Sequence, residues 1–131
     1  MIALDTNVVV RFLVADEPRQ AARARALVAR AASVGERLFI ADVVWCETVW
    51  VLDSAYGFGR KEIGTSLRRL LGARGVVVRS FDRLGAALDA YERGRGDFAD
   101  YLILEEARAE GCEAVVTFDR ALLRAEGFRA P

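Results

Sequence analysis

The stretch Met-Ile-Ala-Leu-Asp-Thr-Asn-Val-Val-Val-Arg-Phe-Leu, residues 1–13, decides the fold. A short apolar run over 2–4 stops at Asp5, and Val8, Val9, Phe12 and Leu13 then recur with helical spacing. The order is strand, carboxylate, helix. Downstream, Pro18 follows an acidic pair and suits the first turn of a second helix running to about residue 33, with Gly35 as its stop. A second strand is expected over 38–41. Asp42 can cap a third helix that passes through Trp50 and Leu52 to about Tyr56, where Gly57 and Gly59 break it.

A fourth helix is expected over 60–73, and Gly75 leads into the β-branched run Val76, Val77, Val78, typical of a buried parallel strand. Helices resume over 82–91 and, after Gly94 and Gly96, over 97–109. Gly111 ends the last of them, 114–118 is the fourth strand, and the tail over 127–131 can offer only a very short fifth. Strands alternate with helices throughout. The expected class is α/β, a three-layer α/β/α arrangement with a parallel sheet of four or five strands, covered on both faces.

The 131 residues suit a single domain, 1–131, and 53% hydrophobic with 29% charged residues excludes a disordered segment. No apolar run approaches the roughly 20 residues a membrane helix needs, and Met1 enters Ile-Ala-Leu-Asp without a basic leader, so a soluble cytoplasmic protein is expected, without a membrane partner. Cys46 and Cys112 lack the spacing of a zinc or redox motif and read as buried thiols. Basic and acidic residues number 19 each, so net charge points to no anionic partner. Lys61 is the only lysine, and guanidinium suits phosphate, although an arginine- and alanine-rich codon bias accounts for this as readily. With no histidine, RNA cleavage by a histidine acid and base is excluded, as is a histidine triad.

The carboxylates carry the chemical signal. Asp5 and Asp119 each stand at the carboxyl end of an apolar strand, where open parallel sheets place ligands, although Asp is also a favoured cap and turn residue. Glu47 has Val43, Val44, Trp50 and Val51 one helical turn away, so it is expected to face inward, where an ionised carboxylate needs a metal ion or an arginine. Asp97 and Asp100 share the start of a helix and repel each other unless a positive charge is near. We read Asp97 as the cap and Asp100 as the inward ligand, ahead of Ile103 and Leu104 on the buried side. Hard oxygen donors without His or Cys suit Mg2+ or Mn2+.

Four segments match a pattern in order and spacing: Ile-Ala-Leu-Asp5-Thr6-Asn7, Val44-Trp45-Cys46-Glu47-Thr48-Val49, Asp97-Phe98-Ala99-Asp100-Tyr101-Leu102-Ile103, and Val116-Thr117-Phe118-Asp119. Together they resemble the PIN domain, and within it the VapC toxins of bacterial toxin–antitoxin pairs. The resemblance implies an acidic pocket of Asp5, Glu47, Asp100 and Asp119 holding one or two Mg2+ or Mn2+ ions, with Asp97 as an accessory ligand. Thr6, Asn7 and Thr117 match positions that hold such carboxylates, or bound water, by hydrogen bonds.

The same resemblance implies a metal-dependent endoribonuclease, attacking RNA with water rather than with the 2′-hydroxyl and leaving 5′-phosphate and 3′-hydroxyl ends. Arg11, Arg95 and Arg120, near the motifs, are candidates to steady flanking phosphates. A cognate VapB-like antitoxin and a homodimer are implied. Trp45, Trp50 and Phe58 exceed what a small core requires and serve either core or interface. Three rival readings stand beside this one. A haloacid-dehalogenase-like phosphatase wants a second Asp where Asn7 stands and a lysine, for which only Lys61 is available; a phospho-receiver domain fails similarly. A catalytically silent RNA- or partner-binding module would be expected to have lost a pocket acid, and none is missing.

Overall fold

The computed structural model describes residues 1–131, which divide into two compact units, Met1–Arg79 and Ser80–Pro131. The first contains strand β1 (Ile2–Ala3), helices α1 (Thr6–Leu13) and α2 (Pro18–Val34), strand β2 (Leu38–Phe39), helices α3 (Asp42–Ser54) and α4 (Arg60–Leu71), and strand β3 (Val76–Val77). The strands form a parallel sheet in the order β1-β2-β3, with Ile2 opposite Leu38 and Leu38 opposite Val76. Each is shorter than expected, but pairing runs on past the strand ends. Leu4 N–H donates to Phe39 O at 2.9 Å and Ile40 N–H to Val77 O at 3.0 Å. Asp5 is therefore the first residue beyond the β1 ladder.

Local chemistry sets the helix ends. Pro18 occupies the first turn of α2, where its missing N–H costs nothing, and the Glu17 carboxylate accepts from Arg19 and Gln20 N–H. Gly35 ends the helix in the left-handed region at φ 69°, a conformation a Cβ would strain. For α3 the cap lies one residue earlier than expected: Ala41 is the N-cap without a side-chain bond, and Asp42 is already helical, where its charge still complements the helix dipole.

The core of this unit gathers Val9 and Val10 of α1, Leu38 and Ile40 of the sheet, Trp45, Val49 and Leu52 of α3, and Ile63 and Leu67 of α4. Trp45 is 1% exposed, and its indole N–H reaches Ile40 O at 3.3 Å, so its one polar atom is satisfied. Trp50 does the opposite. At 68% exposed it is no core residue, and Phe58, half-buried, lies against Tyr56 with ring centroids 5.8 Å apart. The thiols also depart from expectation: Cys112 is exposed, and Cys46 is half-buried, its pKa pushed up to about 11 chiefly by burial, with Asp42 adding to the rise.

The second unit contains helices α5 (Phe81–Arg93) and α6 (Phe98–Ala109), strand β4 (Val115–Val116), a 3-10 turn (Leu122–Arg124) and strand β5 (Phe128–Arg129). The short tail does form a fifth strand, parallel to β4, with Val115 opposite Phe128, so the strands pair as three and two and not as the one sheet of four or five that was expected. Phe128 anchors it, buried edge-on against Tyr101 at 6.4 Å between centroids. Helix α5 begins one residue before the expected start at 82, and Ser80 caps it, accepting from Arg83 N–H at 3.3 Å. Between the helices, Gly94 and Gly96 let the backbone close onto Tyr101, whose hydroxyl accepts from Gly96 N–H at 3.0 Å; a Cβ on Gly94 would collide with that ring.

Candidate active site

In the first unit the strand-to-helix switch places Asp5 at the N-cap of α1, with φ −83° and ψ 161°. Its Oδ1 accepts from Thr6 N–H at 2.8 Å. Thr6 is almost wholly buried, and its hydroxyl donates to Glu47 Oε2 of α3 at 2.9 Å. One residue therefore restrains two carboxylates, through its amide and its hydroxyl. A pocket of about 380 Å³ opens here, with Asp5, Asn7, Glu47 and Tyr56 among its walls.

Glu47 does not lie where the helix pattern put it. It is exposed, and so are two of its apolar neighbours, Val43 at 61% and Trp50 at 68%. The three share one stripe of α3, while Val44, Trp45, Thr48 and Leu52 turn inward. An exposed carboxylate keeps its hydration, so Glu47 needs no buried countercharge to exist. Its place in the site rests on the bond from Thr6 and on the pocket it shares with Asp5.

Arg11 lines the same pocket and is held by a network invisible to local sequence reading. Its Nε donates to Gln20 Oε1 at 2.7 Å, and Nη1 donates to Tyr56 Oη at 3.1 Å and to Asp16 Oδ1 at 3.3 Å. Tyr56 in turn donates to Asp16 Oδ2 at 2.7 Å, and this bond to the carboxylate raises its hydroxyl pKa. Tyr56 and Arg11 stand 45 positions apart, and no sequence signal joins them. Lys61 is exposed on α4 and is absent from the pocket wall, which leaves the phosphatase and receiver readings without their lysine.

In the second unit Asp97 is the N-cap of α6, as expected, and Asp100 Oδ2 accepts from Asp97 N–H at 2.9 Å. Asp100 is half-buried; desolvation pushes its carboxyl above the usual range, opposed by the Asp97 N–H and reinforced by the charges of Asp97 and Asp119. Leu104 is buried as expected, but Ile103 is 51% exposed. Asp119 follows β4 in an exposed turn: its N–H donates to Thr117 Oγ1 at 3.0 Å and its Oδ1 accepts from Ala121 N–H at 2.8 Å. Thr117 thus positions the Asp119 backbone, while the carboxylate is held by the next turn of chain. Arg95 and Arg120 are both exposed, one on the turn before α6 and the other beside Asp119.

No three acidic or cysteine side chains stand close enough to hold a metal ion as a ready-made group. The acids are organised as Asp5 with Glu47 in the first unit and as Asp97, Asp100 and Asp119 in the second. Their chemistry fits a hard divalent cation all the same. Every donor is a carboxylate oxygen, and the mutual repulsion felt at Asp100 is what a nearby positive charge would relieve.

The PIN domain family matches residues 2–127, a span that runs through both units. The VapC ribonuclease of Aquifex aeolicus (strain VF5) is 28% identical over 120 residues, covering 92% of this chain and 88% of that protein. PIN domains have a three-layer α/β/α fold, the class expected from the alternation of strands and helices.

Proposed function

Because the chain belongs to the PIN-domain family, we propose that it is a Mg2+- or Mn2+-dependent endoribonuclease that acts as the toxin of a toxin–antitoxin pair. The observation that carries the reading is Thr6 holding Asp5 and Glu47 at one pocket, in a chain matched by the family over nearly its whole length and similar to a protein named a ribonuclease. We read residues 1–131 as one PIN domain on the same ground.

Asp5, Glu47, Asp100 and Asp119 would hold the ion or ions, with Asp97 beside them. When bound, the metal supplies Lewis-acid charge to the phosphate and acidity to a water. The chain's own residues do the rest. Thr6 keeps two carboxylates oriented so that neither has to be reorganised as charge develops. The Asp100 carboxylate is fixed through one oxygen by Asp97 N–H, which leaves its other oxygen for the ion. Arg11, pinned by Asp16, Gln20 and Tyr56, keeps a guanidinium at the pocket wall for a flanking phosphate.

A cytoplasmic setting, a VapB-like antitoxin and a homodimer complete the reading. No helix is long and apolar enough to cross a membrane. Val43 and Trp50 form an exposed apolar stripe on α3, the kind of surface protein partners cover. Controlled expression in a bacterial host tests the toxin reading: the wild-type chain should stop growth and Asp5→Asn should not. Growth arrest of equal strength by Asp5→Asn, at equal protein level, would contradict it.

A further inference from the structure

A second cavity, about 790 Å³, lies between α1 and α2 and shares Asn7 and Arg11 with the acid pocket. Gln20, Arg23, Leu27 and Arg30 form its α2 wall, spaced three, four and three along one helix face. Val8 and Leu27 give it an apolar floor. Three guanidiniums line it and no carboxylate does, in a chain whose net charge is zero. Charge is therefore sorted locally: Asp5 and Glu47 line one pocket, Arg23 and Arg30 line its neighbour, and Arg11 stands on both walls.

The arginines are not alike. Arg11 is committed to Gln20, Tyr56 and Asp16. Arg23 and Arg30 are exposed and enter no ion pair with the protein, so their donors face the cavity unspent. Seven residues of helix separate their Cα atoms by about 10 Å, too far for a single phosphate or carboxylate to meet both. The spacing calls for a ligand with repeated negative charges.

We propose that this groove carries the sugar-phosphate backbone of a single RNA strand away from the acid pocket, with Arg23 and Arg30 on separate phosphates and Arg11 at the junction. The assignment rests on the ribonuclease reading for its choice of polyanion. Continuity favours RNA over an acidic peptide, because a strand whose phosphate sits in the pocket must leave it past Asn7 and Arg11, and the arginine wall begins there. Guanidinium planes and the apolar floor also suit unstacked bases.

The test is binding without cleavage: fluorescence anisotropy of an end-labelled single-stranded oligoribonucleotide in EDTA, across a salt series. Arg23→Gln/Arg30→Gln should weaken binding about tenfold and flatten the slope of log K against log salt by about 1.4, two phosphate contacts on a single strand. Arg25→Gln/Arg37→Gln removes two exposed charges outside the groove and should leave that slope near wild type. Wild-type affinity and slope in the groove variant would overturn the proposal, as would an equal loss in the control, or a polyglutamate peptide that binds through Arg23 and Arg30 while RNA does not. RNA binding that depends on the groove, in a protein that never cuts, would instead refute the nuclease reading and leave the groove standing.

Discussion

The Thr6 hydroxyl donates to Glu47 Oε2 at 2.9 Å, joining the first residue of α1 to the middle of α3 across 41 positions of sequence. Since the Thr6 amide also holds Asp5, removing the hydroxyl loosens one carboxylate and spares the other. Thr6→Val keeps the shape of the side chain. It should lower cleavage about 10–100-fold, the usual cost of losing a partner that orients a metal ligand, and lower stability by only about 1 kcal/mol. Thr6→Ser should restore most of the activity. Cleavage rates beside thermal melts of the three proteins check this, and full activity in Thr6→Val would show that Glu47 needs no such anchor.

Asp100 makes the stability of the metal-free protein depend on pH. Its folded-state pKa is raised, with desolvation the leading cause, so between its unfolded and folded values the folded chain binds more protons than the unfolded one. This group's contribution to stability is therefore present below the ordinary carboxylate pKa and lost as pH rises through the raised one. Asp100→Asn keeps an oxygen to accept from Asp97 N–H but carries no charge. In EDTA at neutral pH it should melt at or above the wild-type temperature, with the gap closing at low pH. A lower melting temperature at neutral pH would show that the acid is stabilised where it stands.

The two tryptophans of α3 should respond oppositely to truncation. Trp45→Ala empties a fully buried site and should cost about 3–5 kcal/mol. Trp50→Ala, at a 68% exposed position, should change the stability of the isolated chain by less than about 0.5 kcal/mol. Denaturant titrations of both variants measure this directly.

Gly94 is required by closeness and not by dihedral angle. A methyl group there meets the Tyr101 ring and hydroxyl, so Gly94→Ala should destabilise by about 1–3 kcal/mol, the usual cost of overpacking. Gly85, whose added Cβ meets nothing, is the control, and Gly85→Ala within α5 should be neutral or stabilising. Comparable losses in both would place the cause elsewhere.

Sequence reading captured what local chemistry decides. The halt of an apolar run at Asp5, Pro18 at the start of α2, Gly35 at its end and Asp97 at the cap of α6 are all short-range signals, and each lies where expected. Longer-range features escaped it. Helix α3 is apolar nearly all round, so its periodicity could not tell which face turns inward, and Glu47 with Val43 and Trp50 proved exposed. The cap shift from Asp42 to Ala41 is one residue, within the ordinary blur of helix ends. Tyr56 reaches Arg11 only through the folding together of distant segments, and Phe128 becomes a strand anchor only because Tyr101 is there to receive it.

If these carboxylates serve a metal-dependent cut in RNA, the most direct test is incubation of the purified, antitoxin-free chain with a labelled total-RNA pool in Mg2+, in Mn2+ and in EDTA. Asp5→Asn and Asp100→Asn run beside it, and the chemistry of the fragment ends is determined. Cutting only with metal, lost in both variants and leaving 5′-phosphate and 3′-hydroxyl ends, is the predicted result. Cutting that persists in EDTA, ends bearing 2′,3′-cyclic phosphate, or no cutting under any metal would contradict it.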